Sequence, residues 1–188
     1  MKLSGSSPEA DPVAGDVHLT DLNPKGGIGA NALLLEIGGF RILVDCGLHP
    51  KHAGREGLPE IDRIGDDSLD LIILTHCHLD HLGALPIVAR YHPRAQILCS
   101  IPSASLATRM MRNSVQVMTR QREELNLPEY PLYTHGEIRL LEDRFEALSF
   151  DRPRTFAKDR EELAVTLHPA GHVPGAASVR IEHEEGSI

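Results

Sequence analysis

Leu69-Asp70-Leu71-Ile72-Ile73-Leu74-Thr75-His76-Cys77-His78-Leu79-Asp80-His81 is the stretch on which the fold turns. Its first half is an apolar run broken by one aspartate, the pattern of a strand buried on both faces rather than one with a wet side. Its second half packs three imidazoles and a carboxylate into six positions, directly past the C-terminal end of that strand. Imidazole nitrogen and carboxylate oxygen are the donor set of a hydrolytic zinc site, and a loop at a strand end lets alternate side chains converge on neighbouring points. A solvated loop rich in histidine by chance is the ordinary alternative. The order His-x-His-x-Asp-His after an apolar strand argues against it. Cys77 falls between two of the imidazoles; alternation turns it away from them, and a buried structural thiol is expected.

Upstream, the pattern is that of hairpins feeding one sheet: Val17–Thr20, the turn Gly26-Gly27-Ile28-Gly29, Ala32–Ile37, the turn Gly38-Gly39, and Arg41–Val44. The glycine-rich turn opens a strand and not a helix, so it is read as a hairpin lining the rim of the site rather than as a phosphate cradle. Asp45 closes the last of these strands. A carboxylate there needs a partner, because an unpaired buried charge is costly, and one natural role is to accept the proton on the far nitrogen of a metal-bound histidine. A strand-end turn aspartate is the alternative.

Downstream, Leu82–Tyr91 reads as a helix, Gln96–Cys99 as a strand, and Ser103 as the cap of a longer helix running to about Asn126, where Leu127-Pro128 ends it. Leu106, Met110, Val117, Gln121 and Leu125 fall on one stripe of that helix. Its arginines Arg109, Arg112, Arg120 and Arg122 suit a solvated face better than a substrate contact. Glu137–Leu141, Ala147–Phe150, Leu163–Leu167 and Ala177–Glu182 are strand candidates. Between the last two, Pro169-Ala170-Gly171-His172-Val173-Pro174-Gly175-Ala176 is a tight turn able to present one imidazole, that of His172. His18, His49, His52, His92, His135, His168 and His183 are read as solvated.

The whole chain has 188 residues, of which 41% are hydrophobic, enough for one domain or a piece of one. Its net charge of −8 is not the footprint of a free-standing nucleic-acid-binding domain, although a site with two divalent cations supplies its own positive charge to a phosphate. Three cysteines, Cys46, Cys77 and Cys99, suit neither a disulfide framework nor a zinc ribbon, and point to a reducing cytoplasm. No stretch approaches the ~20 apolar residues of a membrane span, and no signal-peptide core is apparent. Residues 1–15 read as a flexible tail and 16–188 as the fold.

The motifs in order, Asp45, then His76-x-His78-x-Asp80-His81, then His172, resemble the metallo-β-lactamase superfamily. The wording LVDCGLHP, THCHLDHLGALP and AGHVPGAAS is similar to its β-CASP branch of RNA-processing nucleases of the cleavage-and-polyadenylation type. That resemblance implies an α/β fold, the N-terminal part of an αββα sandwich. It also implies two zinc ions, His76, His78 and His172 holding one and Asp80 with His81 the other. Asp80 and, from behind the ligands, Asp45 are the carboxylates expected to serve catalysis. The implied reaction is phosphodiester hydrolysis, with RNA as substrate of the full-length protein, no membrane partner, and a homodimer kept open. The family's metal-bridging aspartate, its distal histidine and the β-CASP insert are expected beyond Ile188, which would leave residues 1–188 inactive alone. One mixed, largely antiparallel sheet with helices on one face and a bare apolar face opposite is therefore expected. A hydrolase of a small thioester, lactone or lactam and a non-catalytic scaffold paralogue are the rival functions.

Overall fold

The computed structural model describes residues 17–23, 26–184 and 186–188; the expected tail over 1–15 lies outside them. The elements follow as β1 (His18–Asp21), β2 (Leu33–Ile37), β3 (Phe40–Val44), β4 (Leu71–Ile73), α1 (Leu79–Leu82), α2 (Leu85–Tyr91), β5 (Gln96–Ser100), α3 (Ile101–Glu124), α4 (His135–Glu142), β6 (Phe145–Leu148), β7 (Arg154–Lys158), β8 (Glu161–Pro169), β9 (Ala177–His183) and β10 (Gly186–Ser187). Two short 3-10 turns, Gly54–Gly57 and Ile61–Arg63, lie between β3 and β4.

The first sheet has six strands in the order β1-β2-β3-β4-β5-β6. Its first half is the expected hairpin run. Ile37 pairs with Phe40, so Gly38-Gly39 is the two-residue loop, and its φ values of +52° and +75° are those that match hairpin turn to strand twist. From β3 onward every pairing is parallel. The largely antiparallel sheet expected from the sequence is therefore corrected. β4 is reached through the long segment with the two 3-10 turns, and β5 and β6 through α-helical crossovers, each of which brings the chain back in the same direction.

A bare opposite face is also overturned. β7, β8, β9 and β10 form a second, four-stranded antiparallel sheet, and its inward residues Phe156, Leu163, Val165, Leu167, Ala177 and Ile181 pack on Leu35, Ile37, Ile42, Leu71, Ile73 and Leu98 of the first. The other face of the first sheet presents Leu34, Leu43, Ile72 and Ile97 to α2, α3 and α4, which bury Leu85, Val88, Met111, Val115, Ile138 and Leu141 against it. Successive residues of one strand thus enter different cores, Ile72 one and Ile73 the other, as the continuous apolar run requires. The architecture is three layers, helices on sheet on sheet. β7 escaped sequence reading because Arg-Thr-Phe-Ala-Lys carries a single large apolar residue, Phe156.

Glu137–Leu141, expected as a strand, is the body of α4. Thr134 caps it reciprocally with Glu137, each side chain engaging the other's backbone N–H, and Ile138 and Leu141 share the buried face. The cap of α3 is Ser100, whose hydroxyl accepts from the Ser103 N–H at 3.3 Å, so the expected cap at Ser103 is displaced by one turn. His92 is not solvated: it is buried, and its Nδ1 accepts from the Ser68 N–H at 3.2 Å. His183 likewise turns inward, with Nε2 3.1 Å from the Glu161 carboxylate.

Candidate metal centre

β4 lies between two parallel neighbours with all three of its residues buried, and the chain leaves its C-terminal end as Thr75-His76-Cys77-His78 before α1 begins. The strand segment just upstream of Asp45 runs beside it, so the two strand ends open together. The segment after β3 then clamps the start of α1 through backbone bonds: the Cys46 N–H donates to the His81 carbonyl at 2.6 Å, the Leu48 N–H to Leu79 at 2.8 Å, and the Ala84 N–H to Cys46 at 2.9 Å. A Cβ on Gly47 would fall 1.7 Å from the Asp80 carbonyl oxygen, so only glycine allows this approach.

His172 arrives from the other sheet, in the turn between β8 and β9. Gly175 in that turn accepts from the hydroxyls of Ser100, at 2.6 Å, and Ser103, at 3.1 Å, while the Ala177 N–H donates to the Thr75 carbonyl at 2.9 Å. The His172 turn is thereby docked on the N-terminus of α3 and on the residue preceding His76.

The expected residues converge. The His76, His78 and His172 rings stand edge to face, with centroids 4.9 to 5.0 Å apart, and His81 lies 4.0 Å from His76. Asp80 Oδ2 is 3.7 Å from His81 Nε2. Among the described residues, His76, His78 and His172 form the group of three whose ligand atoms all lie within 4.8 Å of one another. His172 Nε2 and His78 Nδ1 are 3.3 Å apart. Two nitrogens bound tetrahedrally to one zinc at about 2.0–2.1 Å would be separated by about 3.3–3.4 Å, so the spacing suits such an ion. His76 Nε2 is buried with no hydrogen-bond partner, whereas its Nδ1 is 3.0 Å from the Thr75 hydroxyl. A buried ring nitrogen left alone is costly, and a cation is the partner that this donor set fits. Burial, and then the neighbouring imidazoles, lower the His76 pKa, which leaves its lone pair available near neutral pH.

Asp45 sits behind the histidines, buried, with φ +61°. Its carboxylate accepts from the Thr75 N–H at 2.8 Å, the Thr75 hydroxyl at 2.7 Å and His81 Nδ1 at 2.7 Å. Burial alone would lower the His81 pKa, but the hydrogen bond to Asp45 and the charges of Asp45 and Asp80 outweigh it and raise the value. The second nitrogen of that ring, Nε2, is left facing Asp80. Cys77 points elsewhere: its thiol donates to the Ser103 carbonyl at 3.2 Å, and burial pushes its pKa up to about 11.

Two contributors were not legible in the sequence. Asn31 holds the Asp80 carbonyl through both its N–H, at 2.9 Å, and its side-chain amide, at 3.0 Å, and that amide is 3.1 Å from His81 Nε2. Thr75 ties Asp45 to His76. A polar residue closing the glycine-rich loop and a hydroxyl just ahead of the first histidine were the signals available. The arginines of α3 do not reach the histidine group by any contact seen; Arg112 pairs with Glu142 at 2.6 Å. Beside His78 and Asp80 a groove of about 570 Å³ opens between α3 and the segment from Leu48 to Ala53.

Comparison with known proteins follows the same lines. The chain is 29% identical over 168 residues to the cleavage and polyadenylation specificity factor 73 of Drosophila melanogaster, covering 87% of this chain and 23% of that protein. It is 30% identical over 165 residues to the transcription termination factor FttA of Cenarchaeum symbiosum, covering 86% and 24%. It is 28% identical over 186 residues to the endoribonuclease YSH1 of Kluyveromyces lactis, covering 96% and 23%. The chain thus spans about a quarter of the length of these relatives. Among solved structures, a metallo-β-lactamase from Cronobacter sakazakii superposes with a TM-score of 0.53 at 21% identity, over 91% of this chain and 62% of that one. The dizinc quorum-quenching lactonase AidC does so with a TM-score of 0.50 at 18% identity, over 84% and 54%. Both likenesses are of fold. The family model described as a metallo-beta-lactamase superfamily domain matches residues 34–188, and the chain belongs to the metallo-β-lactamase superfamily.

Proposed function

We propose that this chain supplies the metal-binding part of a zinc-dependent phosphodiester hydrolase that cleaves RNA. The observation that carries this reading is that similarity to three relatives named for cleavage and polyadenylation, endoribonuclease action or transcription termination extends over 86–96% of the chain. His76, His78 and His172 would hold one zinc, and Asp80 with His81 would contribute to a second. Zinc at such a site supplies Lewis acidity and a water acidified to a pKa of ~7. The chain's own residues do the positioning. Asp45 fixes the ring plane and tautomer of His81 and, through Thr75, the approach of His76. Asn31 holds Asp80 by its carbonyl, so the carboxylate is aimed by the backbone. Three buried, unbridged cysteines accord with a reducing, cytoplasmic setting.

A second reading, hydrolysis of a small thioester, lactone or lactam, is favoured by one observation, the partly apolar groove beside His78 and Asp80. The two readings separate in one assay: zinc-loaded full-length protein offered single-stranded RNA and an acyl thioester. Turnover of RNA is the expected result. Turnover of the thioester with intact RNA would transfer the assignment to the small-substrate hydrolase.

A further inference from the structure

The groove beside the histidines is not consumed by the metal chemistry. Its volume, about 570 Å³, lies inside the ~300–1,000 Å³ range of small-molecule sites, and it is larger than two metal ions and a phosphate require. Its floor is one face of α3, where Met110, Val117, Met118, Gln121 and Leu125 recur at helical spacing; Tyr130 and Leu48 close its sides. His78 and Asp80 line its mouth, so it is continuous with the candidate metal centre. Lys51, His49 and His52 stand on the opposite rim, with the two rings 4.3 Å apart.

That arrangement is graded along its length, from the metal-ligating side chains His78 and Asp80 to an apolar floor with polarizable sulfur. A nucleotide has the same grading: an anionic phosphate at one end and a flat aromatic base at the other. Thioethers pack well on aromatic faces, and stacking on an apolar floor is tolerant of base identity. Gln121, the amide of the floor, offers a donor and an acceptor side by side, the pair that an amide uses against a base edge. The geometry points to a nucleobase subsite in this groove, which seats the base of a nucleotide next to the scissile phosphate, with Gln121 as the residue that touches the base edge. This inference rests on the RNA-hydrolase reading and adds to it the place where substrate is held.

The chain carries four methionines, Met1, Met110, Met111 and Met118, which makes methyl labelling a direct test. Met110 and Met118 line the groove, and Met111, fully buried in the core and not part of the groove's lining, is an internal control. Methionine 13C-methyl spectra of the chain are recorded during titration with adenosine 5′-monophosphate, cytidine 5′-monophosphate, ribose 5-phosphate and an N-hexanoyl amino acid. The expected result is saturable ring-current displacement of the Met110 and Met118 signals by both nucleotides, with Met111 unmoved and no response to ribose 5-phosphate. Val117→Phe, which fills the half-buried edge of the groove, should weaken nucleotide binding about tenfold. Gln121→Ala should alter the ratio of the two nucleotide affinities. A response to the acyl compound alone, or to none of the ligands, overturns the subsite. RNA cleavage by the full-length protein is scored separately. Cleavage with no nucleotide response and no effect of Val117→Phe removes the subsite and leaves the hydrolase reading intact. Nucleotide binding without cleavage of any RNA removes the hydrolase reading instead.

Discussion

The Asp45 carboxylate accepts a hydrogen bond from His81 Nδ1 at 2.7 Å while the same oxygen accepts the Thr75 hydroxyl at 2.7 Å, so one buried acid orients residues on both sides of the His76–His78 pair. Asp45→Asn keeps the size of the side chain and tolerates the left-handed backbone at φ +61°, but if its oxygen keeps the His81 and Thr75 hydroxyl bonds, its NH2 faces the Thr75 N–H, which Asp45 Oδ1 accepts at 2.8 Å, and cannot accept it. Zinc affinity, read by competition with a chromophoric chelator, should fall about 10–100-fold with the circular dichroism unchanged. Undiminished affinity in a folded Asp45→Asn protein would remove Asp45 from the site.

Metal stoichiometry should follow the unequal ligand sets. Three converging nitrogens meet the need of a first zinc, whereas Asp80 and His81 offer a second only two side chains. Dialysed protein of residues 1–188 should retain about one zinc by mass spectrometry of metals. His76→Ala or His172→Ala should lose it, and His81→Ala should keep it. Loss of the tight zinc on His81→Ala would show that the grouping of ligands is different.

The closed inter-sheet core has a measurable weight. Leu167 is fully buried between the sheets, and Leu167→Ala should cost about 2–5 kcal/mol in urea unfolding. Leu140, 74% exposed on α4, is the control, and Leu140→Ala should stay within about 0.5 kcal/mol of the parent. Similar values for the two would mean that the second sheet is not packed on the first.

The cap of α4 gives a pH signature. Burial would raise the Glu137 pKa, but hydrogen bonds from Thr134 and the nearby Arg90 outweigh it and hold the value below the ordinary glutamate range. A depressed carboxylate stabilises the fold above its unfolded pKa and loses that contribution as pH falls through the folded value. Thr134→Ala should therefore cost about 0.5–2 kcal/mol at neutral pH and less once Glu137 is protonated. A penalty independent of pH would separate the hydroxyl cap from the carboxylate.

Thiol chemistry should be silent in the native protein. Cys46, Cys77 and Cys99 are buried, and burial pushes the Cys99 thiol up to about 12 and that of Cys46 higher still. Ellman's reagent at pH 8 should label none of the three before denaturant is added and all three afterwards.

The sequence spelled out the parts of this molecule whose chemistry is local. Histidines two residues apart past an apolar strand, a glycine pair between strands, and an aspartate closing β3 each carry their meaning within a few positions, and the structure brings His76, His78, Asp80, His81, His172 and Asp45 together. What escaped depends on partners far along the chain. Asn31 is ordinary loop asparagine until β1, β2 and α1 are assembled and its amide meets Asp80, 49 residues away. β7 has little amphipathic signal because one phenylalanine suffices to seal an edge strand. Glu137 was misread for a different reason: its apolar neighbours alternate nearly as well with period two as with a helical period, and the capping threonine three residues earlier decides the matter.

β4 is only three residues long, yet it is walled in by apolar side chains above and below and by a neighbour on each side. A segment so enclosed has nowhere to go on the microsecond scale, and its amides should be among the slowest in the protein to exchange with deuterium. His76 and His78 are hung from the end of this enclosed strand. Ordering them is charged to the folding of the sheets, long before any ion arrives, so metal capture should proceed with almost no loss of side-chain freedom and with an entropy more favourable than a flexible loop of the same residues would show.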